Sequence, residues 1–295
     1  MNQHPTDPVA DTPAYLTTRE VADLIRVKER KVYDLAAAGE IPHRRVTGKL
    51  LFPAAEIVQW IDGVAASANP RPPVLAGSHD PLLDWAVRES CCGLATLFDG
   101  STSGLDAFAE GRAALCGLHL PDGDDWNIGP VARRGVRDCV LIGWARRRRG
   151  LLLPPDLAQQ VSGMRDLVGR TVALRQPGSG TAALFARMLA QAGLSEDAVS
   201  TVPGWARTED DAAAAVSAGE ADAALGIEAV ARPHGLAFLP LITERFDLLV
   251  DRRAYFTEPL QALMRFAAGD ALLKKADGLC GYDLEGTGRV RWLSP

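Results

Sequence analysis

The chain has 295 residues, of which 47% are hydrophobic, and its formal net charge at pH 7 is -5. This length exceeds the needs of one small domain and leaves enough apolar residues for a core in each of two units. The acidic balance excludes a protein that coats nucleic acid or anionic membrane over its whole surface. Any contact with DNA must therefore be local.

The sequence lacks the patterns of a membrane span, a signal peptide, a disulfide framework and a zinc site. No window approaches the ~18 consecutive apolar residues of a membrane span, and residues 1–12 are polar, unlike a signal peptide. The five cysteines are an odd number without Cys-x-x-Cys spacing, which indicates neither a disulfide framework nor a zinc site. We expect a cytoplasmic protein with no metal and no cofactor.

Residues 15–61 have the pattern of a small helical unit with a two-stranded wing. Thr17 can cap a helix in which Glu20 stands three residues on, and a second helix is predicted from Lys28 to Ala38. The run from Ile41 to Phe52 alternates around a turn and predicts the wing, and a closing helix follows from Pro53 to Ile61.

Three segments of this unit carry a resemblance: Tyr15-Leu16-Thr17-Thr18-Arg19-Glu20-Val21-Ala22-Asp23-Leu24-Ile25, Val32-Tyr33 and Gly39-Glu40-Ile41-Pro42. They resemble the excisionase and MerR-type winged helix-turn-helix, over the whole unit. The resemblance implies operator DNA as a partner. Cationic and polar side chains on the second helix, its approach and the wing form the predicted DNA face, which consists of Thr18, Arg19, Arg26, Lys28, Arg30, Lys31, Tyr33, Arg44, Arg45 and Lys49.

The alternative for this face is a solvated charged surface on an unrelated helical hairpin, because acidic residues nearly neutralise the unit. A single copy with so few phosphate contacts would bind weakly at physiological salt. We therefore expect a homodimer on a two-half-site operator.

The longer segment alternates short apolar strands with amphipathic helices, which predicts a parallel-sheet α/β fold. The predicted strands are Val74 to Ala76, Leu94 to Phe98, Ala113 to Leu118, Val136 to Ala145, Thr171 to Arg175, Val199 to Val202, Ala223 to Ile227 and Leu236 to Pro240. The predicted helices are Pro81 to Ser90, Ser103 to Ala109, Leu157 to Val161, Thr181 to Gly193, Glu209 to Ala218 and Glu258 to Ala267.

Three helix starts in this segment are rich in hydroxyls and glycine. They are Gly77-Ser78-His79-Asp80, Asp99-Gly100-Ser101-Thr102-Ser103-Gly104 and Arg175-Gln176-Pro177-Gly178-Ser179-Gly180-Thr181. Free backbone N–H groups, hydroxyls and the helix dipole at such starts favour an anion. Each start could equally be an ordinary N-cap without any ligand.

Six motifs follow one another along residues 74–260: Ser78-His79-Asp80-Pro81-Leu82-Leu83, Leu97-Phe98-Asp99-Gly100-Ser101, Gly117-Leu118-His119-Leu120, the 175–181 phrase, Ala221 to Ile227 and Glu244 to Leu248. Their order resembles the periplasmic-binding-protein-like domain of bacterial one-component regulators and of some molybdopterin-biosynthesis proteins. The resemblance implies two α/β lobes, joined by crossover strands, that close on a ligand. The implied ligand-binding residues are Ser78, His79, Asp80, Ser101, Thr102, Ser103, His119, Arg175, Gly178, Ser179, Gly180 and Thr181.

These patterns divide the chain as follows: a disordered tail at 1–14, the winged helix-turn-helix at 15–63, a Pro-containing linker at 64–77 and the sensing domain at 78–295. Lobe one is expected at about 78–140 and 239–295, and lobe two at about 141–238. The run Arg146-Arg147-Arg148-Arg149 is predicted to be a solvated turn, with a second DNA or anion contact as the alternative.

The sequence carries neither a Gly-x-Ser-x-Gly elbow nor a phosphate-binding P-loop, so catalysis has no sequence support. We therefore expect a ligand-responsive transcription regulator without enzyme activity. Its expected ligand is a small anion: molybdate or tungstate first, then a molybdenum cofactor fragment or a small carboxylate. The alternative is that the α/β part is an enzyme or a ligand-free dimerisation module.

Overall fold

The computed structural model describes residues 14–61, 70–123 and 125–295. The predicted tail up to residue 13 and the predicted linker from 64 to 69 lie outside this range. The chain separates into two compact units, residues 1–70 and 71–295. Within the described residues, no helix has the length and apolar character needed to cross a bilayer.

The first unit is a helix-turn-helix with a small antiparallel sheet. Its elements are β1 (Tyr15–Leu16), α1 (Thr18–Leu24), α2 (Glu29–Ala37), β2 (Arg44–Val46), β3 (Lys49–Pro53) and α3 (Ala54–Ile61). The predicted capping box is present, since the Thr17 hydroxyl and the Glu20 carboxylate each accept a hydrogen bond from the backbone N–H of the other residue. The predicted wing is β2 and β3, and β1 adds a third strand beside β3.

The core of this unit is small and fully apolar. It consists of Val21, Ala22, Val32, Ala36, Ile41, Phe52 and Ile57. All three helices and the wing contribute to it, so α2 is held by its buried face and turns its other face to solvent. That arrangement leaves the cationic residues of α2 free to meet a partner.

The second unit is built on one sheet of ten strands. Its elements are β4 (Val74–Gly77), α4 (Pro81–Glu89), β5 (Ala95–Phe98), α5 (Ser101–Ala109), β6 (Leu115–Leu118), β7 (Pro121–Asp122), β8 (Asp125–Trp126), α6 (Ile128–Arg133), β9 (Cys139–Leu153), β10 (Thr171–Ala173), α7 (Gly180–Gln191), β11 (Ser200–Thr201), α8 (Glu209–Ser217), β12 (Ala223–Ile227), β13 (Ala237–Asp251), α9 (Glu258–Ala267), α10 (Asp270–Leu279), β14 (Tyr282–Asp283) and β15 (Val290–Leu293). Strand β7 pairs with β8 outside that sheet.

Two 15-residue strands, β9 and β13, pair antiparallel along their whole length and run through both halves of the sheet. We call them the crossing strands. Parallel strands β4, β5 and β6 join one end of the pair and parallel strands β10, β11 and β12 join the other, giving the order β11-β10-β12-β9-β13-β6-β4-β5. The expected two lobes with crossover strands are therefore present.

The prediction of a parallel sheet was wrong in one respect: the sheet is mixed, because the crossing strands run antiparallel to their neighbours β12 and β6. The predicted strands Val136 to Ala145 and Leu236 to Pro240 overlap only the first part of these longer strands, which begin at Cys139 and Ala237. The predicted helix Leu157 to Val161 is a series of turns, and helices α6 and α10 were not predicted. Residues 74–77, which fall in the predicted linker, form strand β4.

Candidate functional site

The crossing strands present alternate side chains to opposite sides at the point where they pass between the lobes. Arg147 and Arg149 of β9 and Glu244 of β13 point inward and are buried, whereas Arg146 and Arg148 are not. Successive side chains of a strand point to opposite faces, so four consecutive arginines are divided between two surfaces. The prediction of a solvated turn at 146–149 was wrong, because these residues lie inside β9.

Arg147 connects the crossing strands to lobe one. Its guanidinium donates a hydrogen bond to Asp80 over 2.8 Å and a short one to Glu244. The Tyr282 hydroxyl donates to the same Asp80 oxygen over 2.6 Å. Asp80 also caps helix α4 by accepting a hydrogen bond from the Leu83 N–H, so this carboxylate fixes a helix start and an ion pair together.

Arg149 connects the crossing strands to lobe two. It lies 2.7 Å from Glu244 and 2.9 Å from Glu209, and it donates to the Thr181 hydroxyl over 2.9 Å. Arg175 completes the chain of contacts with a 2.9 Å ion pair to Glu209. Three arginines and three carboxylates thus form one buried cluster, which we call the inner ion network: Asp80, Arg147, Arg149, Arg175, Glu209 and Glu244.

Two carboxylates of this network, those of Glu209 and Glu244, are held in the charged form. Burial alone would raise the pKa of Glu209, but Arg149 and Arg175 outweigh it and lower that pKa to about 2. The pKa of Glu244 is likewise lowered well below its usual value by Arg147 and Arg149, against the effect of burial. With three guanidiniums facing three carboxylates, the network is balanced in charge.

His119 lies beside this network and is buried. Burial lowers the pKa of its imidazole despite the opposing effect of Glu244, whose Oε2 lies 3.1 Å from Nδ1. The backbone N–H of His119 donates to the Ser101 hydroxyl over 3.2 Å, and that hydroxyl lies 2.8 Å from the hydroxyl of Ser78. The first residue of α5 is thereby fixed against β6 and the end of β4.

The starts of helices α5 and α7, which belong to different lobes, face each other. The Thr102 N–H of α5 donates to the Gly178 carbonyl over 3.1 Å. A Cβ added to Gly180 would lie only 2.6 Å from the His119 carbonyl oxygen, and one added to Gly100 would lie 3.0 Å from the Gly178 oxygen. These glycines permit the approach, and the described conformation is one in which the lobes touch.

The structure brings most of the sequence-predicted ligand residues to this contact. Ser78, Asp80, Ser101, His119, Arg175, Ser179, Gly180 and Thr181 are buried around it. Thr102 and Gly178 are exposed at its rim, and Ser103 is half-buried beside them. His79 is half-buried and packs edge-on against Phe98, with no hydrogen-bond partner for Nδ1 among the described residues.

Sequence reasoning missed Arg147, Arg149, Glu209, Glu244 and Tyr282. These residues lie in or next to polar stretches of the sequence. The structure shows that β9 and β13 continue through such stretches as 15-residue strands, so their side chains alternate between inner and outer positions. Among the described residues, no group of three or more His, Cys, Asp or Glu side chains is arranged to hold a metal ion.

Nine of the ten residues predicted to form the DNA face are exposed in the first unit, and Thr18 is buried. The turn between α1 and α2 is tight, with Arg26 at a φ of 57° and the Val27 N–H donating to the Ala22 carbonyl. Arg44 in the wing pairs with Glu56 over 2.8 Å. The exposed cations thus lie at the start of α2 and along the wing.

Comparisons with known proteins agree with this two-part organisation. Residues 85–268 match the family model described as PBP superfamily domain, and residues 15–64 match that of a helix-turn-helix domain. The chain is 26% identical to the uncharacterized protein YvgK of Bacillus subtilis (strain 168), over 95% of this chain and 98% of that one.

Solved structures are also similar to this chain, and the first of the two that follow illustrates the likeness in fold. A substrate-binding protein from Clostridium perfringens with bound phosphate is 12% identical and covers 74% of this chain and 99% of its own, with a TM-score of 0.52. The C-terminal domains of a LysR family protein from Agrobacterium tumefaciens are 18% identical over 68% of this chain and 96% of that one, with a TM-score of 0.49. Because the first family model spans more than half of the chain, the protein belongs to the PBP superfamily domain family and carries a helix-turn-helix domain ahead of that domain.

Proposed function

We propose that this protein is a ligand-responsive DNA-binding transcriptional regulator. A helix-turn-helix domain joined to a PBP-like ligand-binding domain fits such a regulator, and both matched families are binding or regulatory domains. The observation that carries the proposal is the meeting of the α5 and α7 starts across the two lobes. Closure of the lobes on a ligand would be transmitted to the DNA-binding unit as a shift between two populations.

The ligand we propose is a small anion held between these two helix starts. Backbone N–H groups at a helix start and the hydroxyl of Ser101 are donors suited to an oxyanion or a carboxylate, whereas the Thr181 hydroxyl already donates to Glu209 over 3.1 Å. The arginines of the inner ion network are already matched by carboxylates, so the anion would depend on dipoles and hydroxyls more than on free guanidiniums. Molybdate and tungstate remain our first candidates, followed by a molybdenum cofactor fragment or a small carboxylate.

The ligand proposal is tested by thermal shift of the full chain with molybdate, tungstate, sulfate, phosphate and common carboxylates. A ligand that binds only the folded state raises the melting temperature. We expect at least one of these anions to do so, and Ser101→Ala to reduce the shift while Ser162→Ala, on the exposed surface of lobe two, preserves it.

For the first unit we propose that α2 enters the major groove and that the wing contacts the backbone, in the manner of the excisionase and MerR-type domains it resembles. Exposed Lys28, Arg30 and Lys31 at the start of α2 support this. Replacing all three by Ala should abolish retardation of a DNA fragment selected by the protein from a random pool. The matched control removes three exposed cations from the second unit, Arg112, Arg165 and Lys274.

A homodimer is part of the proposal, because a recognition helix with few phosphate contacts needs two half-sites spaced by about one duplex turn, ~34 Å. Equal loss of retardation in both triple variants would show a non-specific charge effect.

The balanced inner ion network favours a second candidate, a ligand-free dimerisation module, because its ionic groups pair with each other without a ligand. Failure of every anion in the thermal-shift series would favour that candidate.

A further inference from the structure

A cavity of about 250 Å³ lies on the outer side of the crossing strands, away from the helix starts of α5 and α7. Its polar lining consists of Arg146, Arg245, Asp247, Glu285, Arg289 and Arg291. A wider opening of about 570 Å³ shares Arg146 and Arg245 with it. Typical small-molecule sites are roughly 300–1,000 Å³, so this cavity suits a small ligand.

The wall of the cavity is fixed to the crossing strand β9 by close backbone contacts. The Gly143 N–H donates to the Arg289 carbonyl over 2.9 Å, and the Gly288 N–H donates to the Gly143 carbonyl over 2.8 Å. A Cβ on Gly143 would lie 2.7 Å from the Gly286 oxygen, so a glycine is needed there. The segment that carries Arg289 is therefore held against the strand.

Guanidinium groups are the most numerous charged groups of the lining. Four of them and two carboxylates line the cavity, and the carboxylates of Asp125 and Asp283 lie within 3.9 Å of three of those guanidiniums. Burial also raises the pKa of Asp247 to about 6, so this carboxyl binds a proton more readily than an ordinary aspartate. Guanidinium groups offer planar pairs of N–H donors that match phosphate and carboxylate oxygens.

The ion pairs at the rim are open to exchange. Arg146 lies 3.3 Å from Asp283 and 3.2 Å from Glu285, and all three side chains are at least two-fifths exposed. Arg245 is only loosely paired, 3.9 Å from Asp125. Exposed pairs contribute little, about 0–1 kcal/mol, so a bound anion can replace them.

We propose that this cavity is a second anion site, which binds a small phosphate- or carboxylate-bearing ligand outside the cleft between the lobes. An anion there joins Arg146 of β9, Arg245 of β13 and Arg289 of the segment before β15. Because the first two residues lie where the crossing strands pass between lobes, occupancy biases the relative position of the lobes. The site goes beyond the proposed function, since it does not require a ligand between α5 and α7.

The test is isothermal titration calorimetry of the full chain with inorganic phosphate and, separately, with succinate. We expect at least one of the two to bind, and the double variant Arg245→Ala/Arg289→Ala to weaken its affinity about tenfold or more, as loss of charged hydrogen bonds predicts. The matched control is Arg137→Ala/Arg148→Ala, which removes two exposed arginines outside the cavity. That control should leave the affinity unchanged, and circular dichroism checks the fold of both variants.

Several results overturn the proposal. One is that neither phosphate nor succinate binds. Another is that both double variants weaken binding equally, which would show a general charge effect. Binding that survives Arg245→Ala/Arg289→Ala but is lost in Ser101→Ala places the anion between the lobes. That result would contradict the second site and support the proposed function. Weaker DNA retardation in Arg245→Ala/Arg289→Ala, without binding of either probe, makes this face a nucleic-acid surface instead.

Discussion

The inner and outer sides of the crossing strands differ sharply although their residues alternate in sequence. Arg147 and Arg149 are buried and each pairs with two carboxylates, whereas Arg146 and Arg148 pair with carboxylates at the surface. One run of four like charges therefore serves two purposes. The inner pair joins the two lobes to each other, and the outer pair meets solvent.

The largest effect is expected on the inner side. Arg147→Ala leaves the buried carboxylates of Asp80 and Glu244 without their shared partner, and breaking a buried pair in this way costs about 3–5 kcal/mol. The measurement is urea unfolding at pH 7, with Arg148→Ala as the control from the outer side. Equal losses in the two variants would contradict the distinction between the sides.

The next largest effect is expected in how the free energy of unfolding falls at acidic pH. Glu209 has a pKa of about 2 in the fold and an ordinary value of 4.5 in the unfolded chain, so its contribution is present above pH 4.5 and is lost as the pH falls toward 2. Because one pKa unit corresponds to about 1.4 kcal/mol, the contribution is about 3 kcal/mol. Unfolding at pH 5 and at pH 3 should show Glu209→Gln with a flatter pH dependence than the wild type.

The control for that measurement is Asp210→Asn at the adjacent position, whose carboxylate is exposed and lies 3.2 Å from His234. We expect it to keep the wild-type pH dependence. A wild-type slope in Glu209→Gln would mean that the pairing with Arg149 and Arg175 does not stabilise the fold.

Contact between the lobes predicts a smaller effect at Gly180. In Gly180→Ala the new Cβ would lie 2.6 Å from the His119 carbonyl oxygen, so the lobes must separate or strain, at about 1–3 kcal/mol. Small-angle X-ray scattering should report a larger radius of gyration. Gly278→Ala is the control, because a Cβ in that helix meets nothing within 4 Å, and an unchanged radius in both variants would contradict lobe contact.

The smallest effect is expected on the outer side. Arg146→Ala removes exposed pairs with Asp283 and Glu285, which are worth about 0–1 kcal/mol. Unfolding should show a small difference from wild type at low salt and a smaller one at high salt, because salt screens exposed ion pairs. A loss comparable to that of Arg147→Ala would show that the two sides are equivalent.

Local chemistry made part of this molecule predictable. The capping box of Thr17 and Glu20 and the hydroxyl-rich starts at Ser101 and Ser179 are set by neighbours within four residues, and each starts a helix as expected. The alternation of apolar strands and amphipathic helices predicted an α/β fold, whereas the two lobes were expected from the resemblance to the periplasmic-binding-protein-like domain.

The inner ion network could not be predicted, because its partners are far apart in sequence. Arg147 bonds Asp80 across 67 positions and Glu244 across 97. In addition, the polar residues where the crossing strands pass between lobes interrupt the apolar pattern. In the sequence, the residues of β9 therefore had the pattern of a shorter strand, followed by a charged turn and a separate apolar run.

We propose that closure of the lobes on an anion changes how the first unit binds DNA. The direct measurement is the affinity of the full chain for its selected DNA fragment, by fluorescence anisotropy, with and without the anion that gives the largest thermal shift. We predict that the anion changes this affinity in the wild type and leaves it unchanged in Gly180→Ala. An identical wild-type affinity in the presence and absence of a bound anion would show that the two units are not coupled.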